Sequence, residues 1–319
     1  MGKKSDHIFN CLKWVIAVAA YVFLFYKLLT FKDYEAVFTL FRQSNCLWLI
    51  GAVLLLPLNI LIESMKWKLL VSPVHHVSLR ESIKMILWGN TGGFSTPNRL
   101  GEFPARSMMM PEGTRAKSIA LGFIGSLAQT ICILCCGIVS FHFFYHIFIN
   151  HSSNGMLWSI QSEHDILFGY VVVILFLIAF FLTLPHWTHL LRNSGNKTIR
   201  QLNETATSIN YAYLLKTFLL AGVRYLVFSF QSYCMYRFCM VDVTLQEALI
   251  AIPTFYLFVT LTPSINISEM AVRGSYAAFI FRCFTPNYFG AIIASSLTWL
   301  INFCIPMLIG SLFVKFIKK

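Results

Sequence analysis

The chain has 319 residues, of which 57% are hydrophobic and 12% charged, and its formal net charge is +12. This composition is too apolar for a soluble globular protein, so it excludes a soluble enzyme and indicates a chain that lies in a lipid bilayer. Basic residues at the inner membrane face and anionic lipid head groups account for the positive charge, and we predict no nucleic-acid partner.

Six long apolar runs approach or exceed the roughly 20 residues that a spanning helix needs. In chain order they are, to within a few residues, Ile8–Leu29, Cys46–Leu61, Ile119–Phe148, Ile166–Leu184, Leu214–Tyr236 and Phe289–Phe316. The first run has no small-residue boundary, which favours an uncleaved span over a signal peptide. Two further apolar stretches, 82–94 and 248–261, each run into a Thr-Pro pair. We therefore predict an all-α polytopic membrane protein.

A charged pattern occurs twice within this apolar sequence. Each copy has a Thr-Pro pair that is followed by a Glu and, four residues later, by an Arg. The copies are Thr96, Pro97, Glu102 and Arg106, and Thr262, Pro263, Glu269 and Arg273. The two Thr-Pro pairs lie 166 positions apart, and so do Glu81 and Glu247. Such a duplication, with a helix breaker beside ionisable residues, is typical of transporters built from two repeated halves.

The distribution of Lys and Arg decides how the apolar stretches cross the membrane. Counted together in chain order, 82–94 is the third stretch, Ile166–Leu184 the fifth and 248–261 the seventh. If all eight crossed, the basic segments after the third and fifth stretches would face outward, against the positive-inside rule. If the third and seventh stretches instead turn back at their Thr-Pro pairs, those segments lie inside. The inner basic residues are then Lys66, Lys68, Arg80, Arg115, Lys117, Arg192, Lys197, Arg200, Lys315, Lys318 and Lys319.

The second arrangement predicts two inverted repeats in one membrane domain, residues 1–319. Each repeat has three spanning helices and one re-entrant helical hairpin, because irregular backbone at membrane depth is tolerated where it lines a cavity. Residues 1–150 form the first repeat, with a hairpin at about 81–113, and residues 164–319 form the second, with a hairpin at about 244–284. We expect a multi-pass protein of the cell membrane, inner or plasma, with both termini cytoplasmic.

The first hairpin contains a candidate phosphate site. Pro97 removes a backbone donor and favours a turn, and Gly101 lets backbone or ligand come close. Glu102 and Arg106 are four residues apart, so they share a helix face and pair, which leaves Arg99 as the unbalanced cation. Because guanidinium forks suit phosphate, Arg99 and Arg106, with Asn98 nearby, form a predicted clamp that Glu102 orients.

The second hairpin and the fifth span complete this candidate site. Glu269 and Arg273 repeat the four-residue spacing, and Asn266 supplies a neutral hydrogen-bonding group. Arg224 lies in the middle of an apolar run, where an Arg is by default a functional residue, and we expect Glu269 or a ligand phosphate as its partner. The alternative for these charges is a purely structural role as ion pairs between helices. Protonation of Glu102 or Glu269 offers a route for proton coupling.

The segment 96–102 together with Arg106 resembles the signature of a transmembrane region found in lysylphosphatidylglycerol synthases and in stand-alone flippase-like proteins, the multiple peptide resistance factor family. Residues 262–273 resemble its second signature, although Ser264 to Ser268 replace the glycines expected there. Carried over from the motifs, the site positions are Pro97, Arg99, Gly101, Glu102, Arg106, Pro263, Glu269 and Arg273. In this family a separate soluble domain performs aminoacyl transfer, and this sequence lacks it.

The resemblance therefore implies a flippase for an anionic phospholipid or a polyprenyl-phosphate-linked lipid. The nine cysteines show no metal-ligand spacing, and we predict neither metal nor cofactor. A membrane or cytoplasmic protein that makes or uses the lipid is a candidate partner. Two alternatives stay open: an integral-membrane transferase that acts on a lipid phosphate with Glu102 or Glu269 as base, and a structural or regulatory membrane subunit.

Overall fold

The computed structural model describes residues 42, 44–94, 96, 99–152, 163–186, 210–262 and 266–313; of residues 150–152, 163–168 and 266–268 it describes the backbone alone. Every regular element in these ranges is helical. The elements are α1 (Cys46–Val71), α2 (Leu79–Phe94), α3 (Glu102–Met108), α4 (Arg115–Ser152), α5 (Glu163–Leu182), α6 (Tyr211–Phe238), α7 (Leu245–Leu261), α8 (Asn266–Phe281) and α9 (Tyr288–Ser311).

Four of these helices, α1, α4, α6 and α9, are long and apolar enough to cross a membrane. Each coincides with one of the apolar runs predicted to span, and a fifth run coincides with α5, in which Gly169–Leu182 is a shorter apolar helix. The predicted first span, Ile8–Leu29, lies outside the described residues. The chain is thus an all-α, multi-pass membrane protein, as predicted, whereas six spans with two re-entrant hairpins stay a prediction.

Two shorter helices, α2 and α7, end beside the two Thr-Pro pairs. They have 16 and 17 residues, which corresponds to about 25 Å at 1.5 Å per residue, less than the roughly 30 Å of a hydrocarbon core. Thr262 caps the end of α7, and its hydroxyl donates to the Phe258 carbonyl at 2.9 Å. Thr96 makes the matching back-bond to the Gly92 carbonyl at 3.4 Å. Both helices therefore stop at an equivalent place.

The α2 and α7 helices also begin in the same way, with a capping box. The Ser78 hydroxyl accepts from the Glu81 backbone N–H, and the Glu81 carboxylate accepts from the Ser78 N–H at 2.9 Å. Thr244 and Glu247 make the same reciprocal bonds at the start of α7. A capping box satisfies donors that a helix N-terminus otherwise leaves unpaired. The bounds of α1 and α6 correspond at the same offset of 166 to within one residue.

Helices α1 and α6 pack against each other in antiparallel fashion. Going forward along α1 and backward along α6, the Ala52 carbonyl accepts from Gln231 at 2.8 Å and Asn59 accepts from Arg224 at 2.8 Å. Two apolar cores lie at the opposite ends of this helix pair, one around Cys234 to Phe238 and one around Trp67 to Val71. The middle of the pair therefore carries a polar layer between two apolar ones.

The two short helices each pack on a long helix from the other half of the chain. In α2, the Thr91 hydroxyl donates to the Met307 carbonyl of α9 at 3.0 Å. In α4, the Ser140 hydroxyl donates to the Leu249 carbonyl of α7 at 3.1 Å, and Gly137 leaves room for Leu257. The packing is reciprocal, so each half holds the short helix of the other.

Candidate functional site

Glu63, in the polar layer of α1, contacts three cationic side chains. Lys66 Nζ lies 2.7 Å from Glu63 Oε2, Arg224 Nη1 lies 2.9 Å from the same oxygen, and Arg106 Nη1 lies 3.2 Å from Oε1. The side chains of Glu63, Lys66 and Arg106 are all at least nine-tenths buried. Buried charges are costly unless they are paired, so this cluster depends on its single central carboxylate.

Glu269, at the start of α8, is the centre of a second ion cluster. Its Oε1 lies 3.1 Å from Arg273 Nε and 3.0 Å from Arg99 Nη2. Arg99 belongs to the turn between α2 and α3, so Glu269 joins the two copies of the repeated motif. Arg99 was predicted to be the unbalanced cation of the first copy, and its counter-charge comes from the second.

The predicted pairing within each copy is confirmed. Glu102 and Arg106 form a salt bridge on α3, and Glu269 and Arg273 form one on α8. In both cases the four-residue spacing places the two side chains on one helix face.

Of the two partners expected for Arg224, Glu269 is wrong, and a ligand phosphate stays a prediction. Arg224 instead bonds to Glu63 and to Asn59 Oδ1, because antiparallel packing turns the middle of α6 toward the middle of α1. The predicted position of Lys66 is also corrected. This residue was counted among basic residues at the inner face, but only 2% of its side chain is exposed and it lies beside Glu63.

The turn that carries Arg99 depends on close backbone packing. The Gly101 N–H donates to Thr96 Oγ1 at 2.8 Å, and a Cβ on Gly101 would lie 2.7 Å from the Thr96 methyl group. A Cβ on Gly92 would meet Ala105 and the Gly101 carbonyl. Arg99 has a φ of 59°, which is uncommon for a residue other than glycine. This turn places its guanidinium 3.2 Å above the centre of the Phe303 ring.

Four of the predicted site positions cannot be located in full. Pro97, Asn98 and Pro263 lie outside the described residues, and Asn266 begins α8 but its side chain is not described.

A cavity of about 520 Å³ brings the two ion clusters together. Of the predicted site residues, Arg99, Glu102, Arg106, Arg224, Glu269 and Arg273 all line it. With Glu63 and Lys66, the described lining has five cationic and three anionic side chains, an excess of two positive charges. Asn90, Ser126, Gln129, Thr130, Thr260 and Asn302 add neutral polar groups. A cavity of this size and charge can hold an anionic group together with further polar atoms.

Glu63 was not among the predicted site residues because the predicted second apolar run ends at Leu61, and Asn59, inside that run, was not singled out as a lone polar residue. The helix continues to Val71, and Asn59, Glu63 and Lys66 follow the i, i+4, i+7 spacing of a single helix face. A polar stripe at this spacing was the signal that could have revealed them.

The fold and the site together define a multi-pass membrane protein with a cation-rich polar cavity. The chain belongs to the family described as the lysylphosphatidylglycerol synthase TM region, whose model matches residues 14–310. This is the family that the motif around Thr96 to Arg106 resembles. No curated protein and no solved structure matches the chain significantly.

Proposed function

We propose that the protein is a flippase that moves an anionic phospholipid or a polyprenyl-phosphate-linked lipid across the membrane. The observation that carries this proposal is the excess of two positive charges among the described residues that line the cavity. An uncompensated cation in a low-dielectric region is costly, so a cavity with such an excess favours an anionic occupant. The lipid-related family of the chain agrees with a lipid phosphate as that occupant.

The proposed architecture is a pair of inverted repeats whose hairpins, α2–α3 and α7–α8, enter from opposite faces. Three observations support it: the shared offset of 166, the identical capping boxes and the antiparallel packing of the corresponding helices α1 and α6. Counterparts related by a two-fold axis in the membrane plane run in opposite directions. The protein would lie in the cell membrane with both termini cytoplasmic.

In this mechanism Arg99 and Arg224 make the first contact with the phosphate, because their side chains are 33% and 31% exposed. Arg106 and Arg273 are more deeply buried, and their positive charges contribute to the electrostatic attraction of the phosphate without a first contact. The phosphate competes with Glu269 for Arg99, which is the ion pair that joins the two hairpins. Its release permits the hairpins to move relative to one another while the lipid tails stay in the bilayer.

The test is a translocation assay on purified protein in liposomes with a fluorescent anionic lipid. We expect Arg99→Gln to lower the rate at least about tenfold, because it removes one charge-assisted hydrogen bond to the phosphate of roughly 1.5–3 kcal/mol. Arg273→Gln should lower it to a similar extent, because it removes a buried positive charge close to the phosphate. Arg237→Gln is a matched control, because Arg237 is 32% exposed but pairs with Asp242 and does not line the cavity. Wild-type rates in both cavity variants, with normal folding, would contradict the proposal.

The transferase alternative is tested with the same preparation. Incubation with a polyprenyl phosphate and candidate donors should yield no new lipid, and a product that disappears in Glu102→Gln or Glu269→Gln would favour an enzyme instead.

A further inference from the structure

Helix α4 contributes a stripe of neutral polar residues to the cavity. Ser126, Gln129 and Thr130 follow the i, i+3, i+4 spacing of one helix face, and all three line the cavity. The stripe begins next to the first ion cluster, because a Cβ on the preceding Gly125 would lie 3.7 Å from Lys66 Cε. These residues interrupt a helix that is otherwise strongly apolar.

The hydrogen-bonding groups of this stripe are unused within the part of the chain that the structure describes. Gln129 Oε1 is buried and has no hydrogen-bond partner there. A buried amide oxygen without a partner costs about 1–3 kcal/mol, so at a cavity wall this oxygen is available to accept from a donor group of a ligand. Asn90 and Thr260 present further neutral groups to the same cavity.

The charge pairs of the cavity disfavour a cationic head group. Among the described lining residues, Glu63 pairs with Lys66, Arg106 and Arg224, Glu102 pairs with Arg106, and Glu269 pairs with Arg99 and Arg273. An ammonium group would find each carboxylate already shared, and it would add to an existing excess of positive charge. A hydroxyl group, in contrast, can both donate to Gln129 and accept from a neighbouring hydroxyl without adding charge.

We propose that Ser126, Gln129 and Thr130 form a neutral subsite that binds the hydroxyl groups of a polyhydroxylated lipid head group, such as a sugar or polyol, whose phosphate lies on the arginines. This inference rests on the proposed function and narrows its substrate class. The lipid is a glycosyl or polyol phosphate lipid, and an aminoacylated lipid is disfavoured.

The test is direct binding to purified protein in nanodiscs, with lipids that have identical acyl chains. The series is phosphatidic acid, phosphatidylglycerol and phosphatidylinositol, in which hydroxyl groups increase, together with lysyl-phosphatidylglycerol as the cationic probe. We expect phosphatidylinositol to bind about tenfold more tightly than phosphatidic acid, and lysyl-phosphatidylglycerol to bind more weakly than phosphatidylglycerol.

The variant Gln129→Leu should remove most of this tenfold preference while the affinity for phosphatidic acid changes less than about twofold. Gln246→Leu is the matched control, because Gln246 is exposed on the first turn of α7, away from the cavity. Thr130→Val, which keeps the side-chain shape, replaces Gln129→Leu if the latter does not fold.

Three outcomes would overturn the subsite: equal wild-type affinities along the hydroxyl series, tighter binding of the cationic lipid, or an equal loss for all lipids in Gln129→Leu. Arg273→Gln separates this failure from failure of the proposed function. If Arg273→Gln weakens the binding of every lipid while the wild-type affinities are equal along the hydroxyl series, only the proposed subsite is wrong. If Arg273→Gln weakens the binding of none of them, the proposed binding of anionic lipids is itself wrong.

Discussion

The α2–α3 and α7–α8 helix pairs share a capping box, a Thr back-bond and a Glu-Arg salt bridge, but their arginines differ in what surrounds them. Arg106 is held by two carboxylates, Glu102 and Glu63. Arg273 has one carboxylate partner among the described residues, Glu269, and shares it with Arg99. The two copies of the motif therefore differ in function. The first copy is anchored to α1 through Glu63, and the second supplies Glu269, the carboxylate with which a ligand phosphate competes for arginine.

The largest effect should come from Glu63, which anchors the first copy. Glu63→Gln leaves the buried Lys66 without its carboxylate, removes one of the two carboxylate partners of the buried Arg106 and unpairs the partly exposed Arg224, and should lower the free energy of unfolding by about 3–5 kcal/mol. Reversible unfolding in mixed micelles measures this. Glu112→Gln is the control, because that side chain is 80% exposed and its loss should cost less than about 1 kcal/mol. Equal stability of the two variants would contradict the anchoring role.

A smaller loss should follow when α3 is pushed away from α2. Gly92→Ala places a methyl group against Ala105 and the Gly101 carbonyl, and should destabilise the protein by about 1–3 kcal/mol. The α7–α8 pair has Phe258 at the corresponding position, so this close approach is specific to the first pair. Gly222→Ala is the control, since a Cβ there meets nothing within 4 Å. A neutral Gly92→Ala would show that the first pair does not need close packing.

The two motif carboxylates should differ in their effect on lipid affinity. Glu269→Gln removes the charge that Arg99 and Arg273 share, so the Kd for an anionic lipid should fall about tenfold, or ~1.4 kcal/mol. Glu102→Gln leaves Arg106 paired with Glu63 and should change the Kd less than about threefold. Equilibrium binding in nanodiscs measures both. If Glu102→Gln had the larger effect on the Kd, the first copy and not the second would supply the carboxylate that competes with the lipid phosphate.

The smallest effect should be equal in the two pairs. Ser78→Ala and Thr244→Ala each remove one capping-box hydroxyl, and each should cost about 1 kcal/mol of unfolding free energy. A clear difference between the two free energies of unfolding would show that the two capping boxes, although alike in geometry, contribute unequally to stability.

The parts of this structure that local spacing decides were predictable from the sequence. A Glu and an Arg four residues apart pair on any helix, and hydropathy located the long helices. Contacts between distant elements were not predictable in this way. The bond from Arg99 to Glu269 joins residues 170 positions apart, and nothing local distinguishes Glu269 from Glu63 as the partner of Arg224. The helix packing makes that choice.

The reciprocal packing of α2 on α9 and of α7 on α4 has a consequence for synthesis in the cell. When the ribosome has finished the first half, Thr91 and Gly137 still lack their contacts with Met307 and Leu257, which are translated later. The tertiary structure of the N-terminal half is therefore complete only after α7 and α9 have entered the bilayer. Two separately encoded halves should assemble when they are produced together, and neither should survive quality control alone.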